Sequence, residues 1–251
     1  MRADAAPGAS APPRGPVPAG TPEAEWVTAL AGCERVPAPT GHLVVVAPHP
    51  DDETLGAGGT LARAVAAGDD PLVVVCSDGE ASHPVVGLGE RRRAECVEAC
   101  AALGVGACRV RFLGLPDGHL ADHADVVAAQ VAAAVRPGTT VLAPWAHDGH
   151  PDHEAVARAV AVAVDRCGHA DVVVWAYPVW AWHWWRPEDL RLDARHHEHL
   201  VAVELDGAAR RAKRDAIACH RSQWSDELGA PILPPGVLAH FRRPYEAFLC
   251  G

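Results

Sequence analysis

Two short stretches of this 251-residue chain gather side chains that could do chemistry. The first, Pro48-His49-Pro50-Asp51-Asp52-Glu53, sets one imidazole among three carboxylates; the second, His150-Pro151-Asp152-His153, carries two imidazoles three positions apart. Imidazole nitrogen and carboxylate oxygen are ligands that Zn²⁺ accepts, and His49, Asp52 and His153 would supply N, O and N. Three protein ligands with an open fourth place mark a catalytic zinc rather than a structural one. Water in such a place falls to a pKa of about 7 and becomes a nucleophile at neutral pH. Asp51 adjoins a ligand but points elsewhere in the turn, so it can take the water's proton. His150 shares a helix face with His153, and as an imidazolium it would stabilise an oxyanion and protonate a leaving amine.

Side chains so far apart in sequence need a frame to bring them together. Val44-Val45-Val46-Ala47, directly before the first cluster, is the β-branched run of a strand buried on both faces. A second such run, 139–143, leads into the other cluster. Further strands are expected at 71–76, 110–113, 172–177, 199–205 and 245–249. Helices are expected at 54–67, 90–103, 123–135, 154–164 and 207–220. Strands alternating with helices of this length make βαβ units, hence an α/β, Rossmann-like three-layer fold with a mostly parallel sheet. Both clusters directly follow strands, so they share the C-terminal strand edge, where open α/β sheets bind ligands. Gly56, Gly58 and Gly59 lack dinucleotide or P-loop spacing, and close packing explains them better than a phosphate cradle. Residues 1–20, rich in Ala, Pro and Gly, read as a flexible lead-in to one catalytic domain over 21–251.

A net charge of −10 argues against nucleic acid or an anionic membrane surface as partner. No apolar run is long enough to span a bilayer and no secretory signal pattern opens the chain, so a cytoplasmic location is expected. The eight cysteines form no CxxC pair and read as reduced, mostly buried thiols. His83, His119, His169, His196, His197, His199 and His240 read as solvated, as does the basic face of the helix from Arg210 to Arg221. The loop 178–199 holds Trp180, Trp182, Trp184 and Trp185. Its rings pack against the domain or an oligomer partner, or else one or two of them, Trp182 among them, stack on a sugar or an apolar aglycone.

The two motifs together resemble the zinc-dependent N-acetylglucosaminyl deacetylases of the PIG-L or LmbE-like family, over roughly Leu43 to Trp224. The resemblance implies His49, Asp52 and His153 as ligands of one Zn²⁺ or another divalent transition metal, Asp51 as base, and His150 as electrostatic or acid partner. It also implies that Arg92 contacts the sugar, and that Asp117 and Asp152 contact the sugar or the active-site histidines. The tyrosine that some members carry before the second motif is missing; Trp145 and His147 stand there. The implied activity is removal of an N-acetyl group from an acetamido sugar, giving free amine and acetate. Its alternatives are an amidase for a larger N-acyl or thiol-conjugate amide and a non-catalytic carbohydrate-binding relative. Asp148-x-His150-x-Asp152-His153 also approximates the HxHxDH motif of metallo-β-lactamase-like hydrolases. Its first position is Asp here, however, and that fold has no use for the Asp51-Asp52 pair.

Overall fold

The computed structural model describes residues 17–189 and 199–251. Helix α1 (Glu23–Ala29) and the short strand β1 (Glu34–Val36) precede β2 (Leu43–Ala47), α2 (Asp52–Ala66), β3 (Leu72–Ser77) and α3 (Leu88–Ala102). Then come β4 (Val110–Leu115), α4 (Ala124–Ala134), β5 (Thr140–Pro144), α5 (Pro151–Cys167), β6 (Val173–Tyr177) and the single turn α6 (Ala181–Trp184). The chain closes with β7 (His199–Glu204), α7 (Gly207–Cys219), α8 (Arg221–Trp224), α9 (Pro235–Ala239) and β8 (Tyr245–Cys250).

The eight strands among the described residues form one sheet in the order β1-β7-β8-β6-β5-β2-β3-β4. The pairs from β6 through β4 are parallel, as is β1 with β7; β8 alone runs antiparallel, between β6 and β7. The mostly parallel, three-layer expectation therefore holds, with an antiparallel insertion. Strand β1 was not expected, because three residues of an edge strand carry too little pattern to register.

Alternation along the central strands divides the core. Leu43, Val45 and Ala47 of β2 face α2 and α3, whereas Val44 and Val46 face α4 and α5. Val44, Val45 and Val46 are fully buried, and each such side chain contributes about 1.5–3 kcal/mol. Close packing accounts for Gly56 and Gly59 of α2, whereas a Cβ at Gly58 would make only ordinary contacts. A Cβ at Gly56 would collide with the Tyr177 ring and one at Gly59 with Leu205, so the helix lies directly on the sheet. Tyr177 itself donates to the Val46 carbonyl at 2.7 Å.

A buried ion pair fastens α7 to α2. Lys213, the only lysine in the chain, donates to the Leu55 carbonyl at 2.7 Å and to Glu246 Oε1 at 2.6 Å. Glu246 in turn accepts the Gly59 and Thr60 amides, each at 2.7 Å. Leu55 is the i−4 partner of Gly59, so the pair is spliced into the hydrogen-bond ladder of α2. The face of α7 read as solvated thus hides one buried cation, while Arg210, Arg211 and Arg214 beside it are exposed.

Residues 1–16 of the expected lead-in lie outside the described residues. At its end the His183 ring donates to the Pro18 carbonyl at 2.8 Å, and the Thr21 hydroxyl donates to Trp185 O. Among the described residues, no helix is long and apolar enough to cross a membrane.

Candidate metal centre and active site

The strand order places the site. From β2 the chain runs outward through β3 and β4, then returns to pair β5 on the other side of β2. The direction of winding reverses at the β2/β5 boundary, and the crevice beyond such a reversal is where doubly wound sheets bind ligands. The turn after β2 carries His49 to Asp52, and the turn after β5 carries Asp148 to His153 into α5.

One oxygen joins the two turns. Asp52 Oδ2 lies 3.2 Å from His49 Nδ1 and 3.2 Å from His153 Nε2. It also accepts the His49 amide at 3.0 Å, which folds the carboxylate back over its own turn. All three side chains are buried. Ligands around a tetrahedral ion with bonds of about 2.0–2.1 Å stand about 3.3 Å apart, so these edges match the donor spacing of zinc.

Charge points the same way. Burial opposes charge on His153, but Asp52 and Asp148 outweigh it and push the imidazole up to about 9. Burial likewise resists ionisation of Asp52, yet His153 and His49 hold it far below the usual carboxylate range. The pocket is built to contain positive charge, which protons or a cation can supply. His153 Nε2 makes no hydrogen bond among the described residues, although it is buried. That nitrogen and the Asp52 oxygen 3.2 Å away form a donor pair that fits a divalent ion.

Partners behind the ligands fix their orientation. His153 Nδ1 lies 2.8 Å from Asp148 Oδ2, which leaves Nε2 as the nitrogen facing Asp52. Asp148 is fully buried and accepts the amides of Val179, Trp180 and Ala181 at 2.7 to 3.0 Å. It is a candidate orienting residue that sequence reading passed over, seen there only as the failed first position of another motif. Its signal is an acid shortly before a histidine pair. On the other side, His49 Nε2 lies 3.2 Å from both Asp117 Oδ1 and Asp152 Oδ2. Asp152 also accepts the amides of Gly118 and Leu120. The structure therefore puts Asp117 and Asp152 on His49. A second donor set, His49, His150 and Asp152, shares the space. Because both Asp152 oxygens are taken by amides, the first set is the better cation site.

Asp51 is the one non-glycine residue with positive φ among the described residues, at 137°. Such a conformation costs about 1–3 kcal/mol and is held only by surrounding structure. Burial pushes its carboxyl up to about 7, with Arg92 pulling the other way. Arg92 is itself buried, donating to Gly79 O and Pro50 O at 2.8 Å each and to Asp51 Oδ2 at 3.2 Å. Its donors hold the motif turn.

His150 accepts the Asp152 amide on Nδ1 at 3.2 Å, so its proton sits on Nε2. Burial and the neighbouring rings of His153 and His49 hold it well below the ordinary imidazole range, hence neutral at rest. The expected imidazolium is therefore corrected to a neutral N–H donor.

The tryptophan assignment changes as well. Trp182 is only 3% exposed; Trp26 packs edge-on at 5.0 Å and the Arg243 guanidinium covers a face at 4.4 Å. Neither face is left for a sugar. Half-buried Trp184 and Trp185 instead flank Gly149, in the turn that delivers His150. Several histidines read as solvated or left out also differ. His83 and His240 are buried, and so is His220, at the end of α7. His196 and His197 lie outside the described residues.

A groove of about 830 Å³ lies elsewhere, between α7 and α9. Its buried cations, Lys213 and Arg243, are committed to Glu246 and Glu23, and its other charges are exposed arginines. The cluster of imidazoles and carboxylates lies instead at the strand edge.

Comparison with known proteins agrees with this geometry. A family model described as PIG-L, GlcNAc-PI de-N-acetylase, matches residues 44–164, which include both motifs. A 1D-myo-inositol 2-acetamido-2-deoxy-alpha-D-glucopyranoside deacetylase of Mycobacterium sp. (strain KMS) is 37% identical over 173 residues, 56% of this chain and 53% of that protein. The enzyme of the same name from Mycobacterium avium (strain 104) is 33% identical over 243 residues, 74% of this chain and 81% of its own length. The conserved protein TT1542 from Thermus thermophilus superposes with a TM-score of 0.59 at 30% identity, covering 79% of this chain and 84% of that one. This chain spans about half the length of most of the curated relatives it matches first. With both motifs converging at the β2/β5 switch point and a relative matched over four-fifths of its length, the chain belongs to the PIG-L family of GlcNAc-PI de-N-acetylases.

Proposed function

We propose that this chain is a metal-dependent N-deacetylase that hydrolyses the acetamido group of a small amino sugar. The observation that carries the reading is the buried set His49, Asp52 and His153, in which Asp52 Oδ2 stands 3.2 Å from both His49 Nδ1 and His153 Nε2. The names of the relatives, deacetylases of an acetamido sugar joined to inositol, support the substrate class. His49, Asp52 and His153 would hold one divalent ion, and Zn²⁺ suits their N, O, N donors. When bound, the ion supplies Lewis-acid polarisation and lowers the pKa of water.

The chain's own residues do the rest. Asp51 accepts the proton of the attacking water as oxygen adds to the amide carbon. Its carboxyl, raised toward neutrality by burial, is matched to that transfer near pH 7. His150, neutral with its proton on Nε2, donates a hydrogen bond to the oxygen that gains negative charge. Having no second proton to spare, it does not protonate the leaving nitrogen. Asp51, now a carboxylic acid, returns its proton to that nitrogen as the C–N bond breaks, releasing amine and acetate. Arg92 keeps the Asp51 carboxylate in place throughout.

The strained Asp51 favours catalysis over a carbohydrate-binding role, since a binding module has no need of a base held at conformational cost. The test is release of primary amine from a panel of N-acetylated glycosides, with and without added Zn²⁺. The reading expects metal-dependent turnover of at least one acetamido sugar. Failure on the whole panel at saturating metal would overturn it.

A further inference from the structure

The conformation of Asp51 is secured by a chain of contacts that reaches the last third of the sequence. The Asp51 amide donates to Glu53 Oε2 at 3.0 Å, while the Asp51 carbonyl accepts the amides of Thr54 and Leu55. Glu53 is fully buried, and its other oxygen accepts the Thr54 hydroxyl at 2.7 Å. His220 completes the set, its Nε2 standing 3.1 Å from Thr54 Oγ1 and 3.4 Å from Glu53 Oε1. Since the Thr54 proton is committed to Glu53, Oγ1 can only accept here, so Nε2 is the donor. His220 Nδ1 makes no hydrogen bond among the described residues, which leaves this contact as the ring's polar role.

Geometry ties the imidazole firmly to the motif. His220 caps the C-terminal end of α7, and α7 is locked onto α2 through Lys213 at the Leu55 carbonyl. The helix therefore meets the motif's own helix at two points, one of them directly behind the base. A buried carboxylate stays where its partners hold it, and without His220 Glu53 would lose its one ring donor.

We propose that His220 is a positioning residue for Asp51: it fixes the Glu53 carboxylate, which pins the Asp51 peptide in its strained conformation and keeps the base aimed at the metal pocket. The inference rests on reading Asp51 as the base of a deacetylase. A purely structural role would instead loosen the fold and the metal site together, without singling out the Asp51 peptide.

The experiment uses the metal-loaded full chain with His220→Ala and His220→Gln, since glutamine retains a side-chain N–H that can reach Glu53. If His220→Ala does not fold, His220→Asn, whose amide is too short to reach, takes its place. Expected for the Ala variant is a kcat lower by about 10- to 100-fold, the cost of a misplaced group, with KM within about twofold and metal content unchanged. The Gln variant should recover most of that loss. Amide exchange of Asp51, followed by NMR in the metal-free protein, should be at least about tenfold faster in the Ala variant than in the natural chain. Wild-type kcat in the Ala variant, unchanged Asp51 exchange, or a loss that follows metal content would each overturn the proposal. If the natural chain deacetylates nothing, the deacetylase reading fails by itself, and the exchange comparison still decides whether His220 pins Asp51.

Discussion

Asp51 works under two opposed influences, a buried setting that favours its protonated form and an arginine that favours its carboxylate. Removing the carboxyl should lower deacetylation by about two to four orders of magnitude while leaving about one metal per chain, because Asp51 is not a ligand. Turnover and metal analysis of Asp51→Ala check this. Arg92 sets the pH at which the base ionises. As pH falls through the Asp51 pKa the base is lost, so kcat should decline on the acid side near pH 7. Arg92→Gln deletes the influence that lowers that pKa, which therefore rises, and the acid limb should move to higher pH; Arg92→Lys should move it less. A kcat profile across pH 5 to 9 measures both. The convergence of His49, Asp52 and His153 was legible because both motifs directly follow strands of one parallel sheet. Asp148 was not, since its role comes from three amides in the turn before α6, far along the chain. Nor was the neutrality of His150, which follows from ring neighbours that only the fold assembles.

Helix α7 shows how an element's pattern can mislead. Its run of basic residues reads as a solvated face, yet the one lysine among them is buried and built into α2. What distinguishes Lys213 is its partner, Glu246 on the last strand, which no local pattern reveals. Lys213→Met should destabilise the chain by about 3–5 kcal/mol, since it leaves Glu246 charged, buried and uncompensated. Urea denaturation checks the value, and a loss below about 1 kcal/mol would mean that the pair is not spliced into the helix. Gly56, by contrast, was read correctly as a packing glycine. Gly56→Ala would drive a methyl group into the Tyr177 ring, and the resulting shift of α2 would carry the Asp52 ligand with it. Weaker metal retention alongside a lower melting temperature is the expected result.

The whole molecule places its chemistry by topology. Periodicity was enough to predict a parallel sheet with both motifs on one edge, because buried β-branched strands and intervening helices leave few other arrangements. The edge strand β1 pairs with β7 across more than a hundred residues, and the antiparallel β8 is set between β6 and β7 by pairings that no local pattern carries, so neither could be read locally. What that topology builds is a buried pocket with an appetite for positive charge, so uptake of a cation should displace protons from His153 and its neighbours. Calorimetry of metal binding in buffers of different ionisation enthalpy should show net proton release near neutral pH. The most direct test of the site is zinc-edge X-ray absorption on the chain loaded with one equivalent of Zn²⁺. Two imidazoles within a shell of nitrogen and oxygen at about 2.0–2.2 Å, abolished as a bound species by His153→Ala, is the predicted result. Sulfur at about 2.3 Å would contradict it, placing the ion on the other buried donor set, Glu53, Cys96 and Cys100.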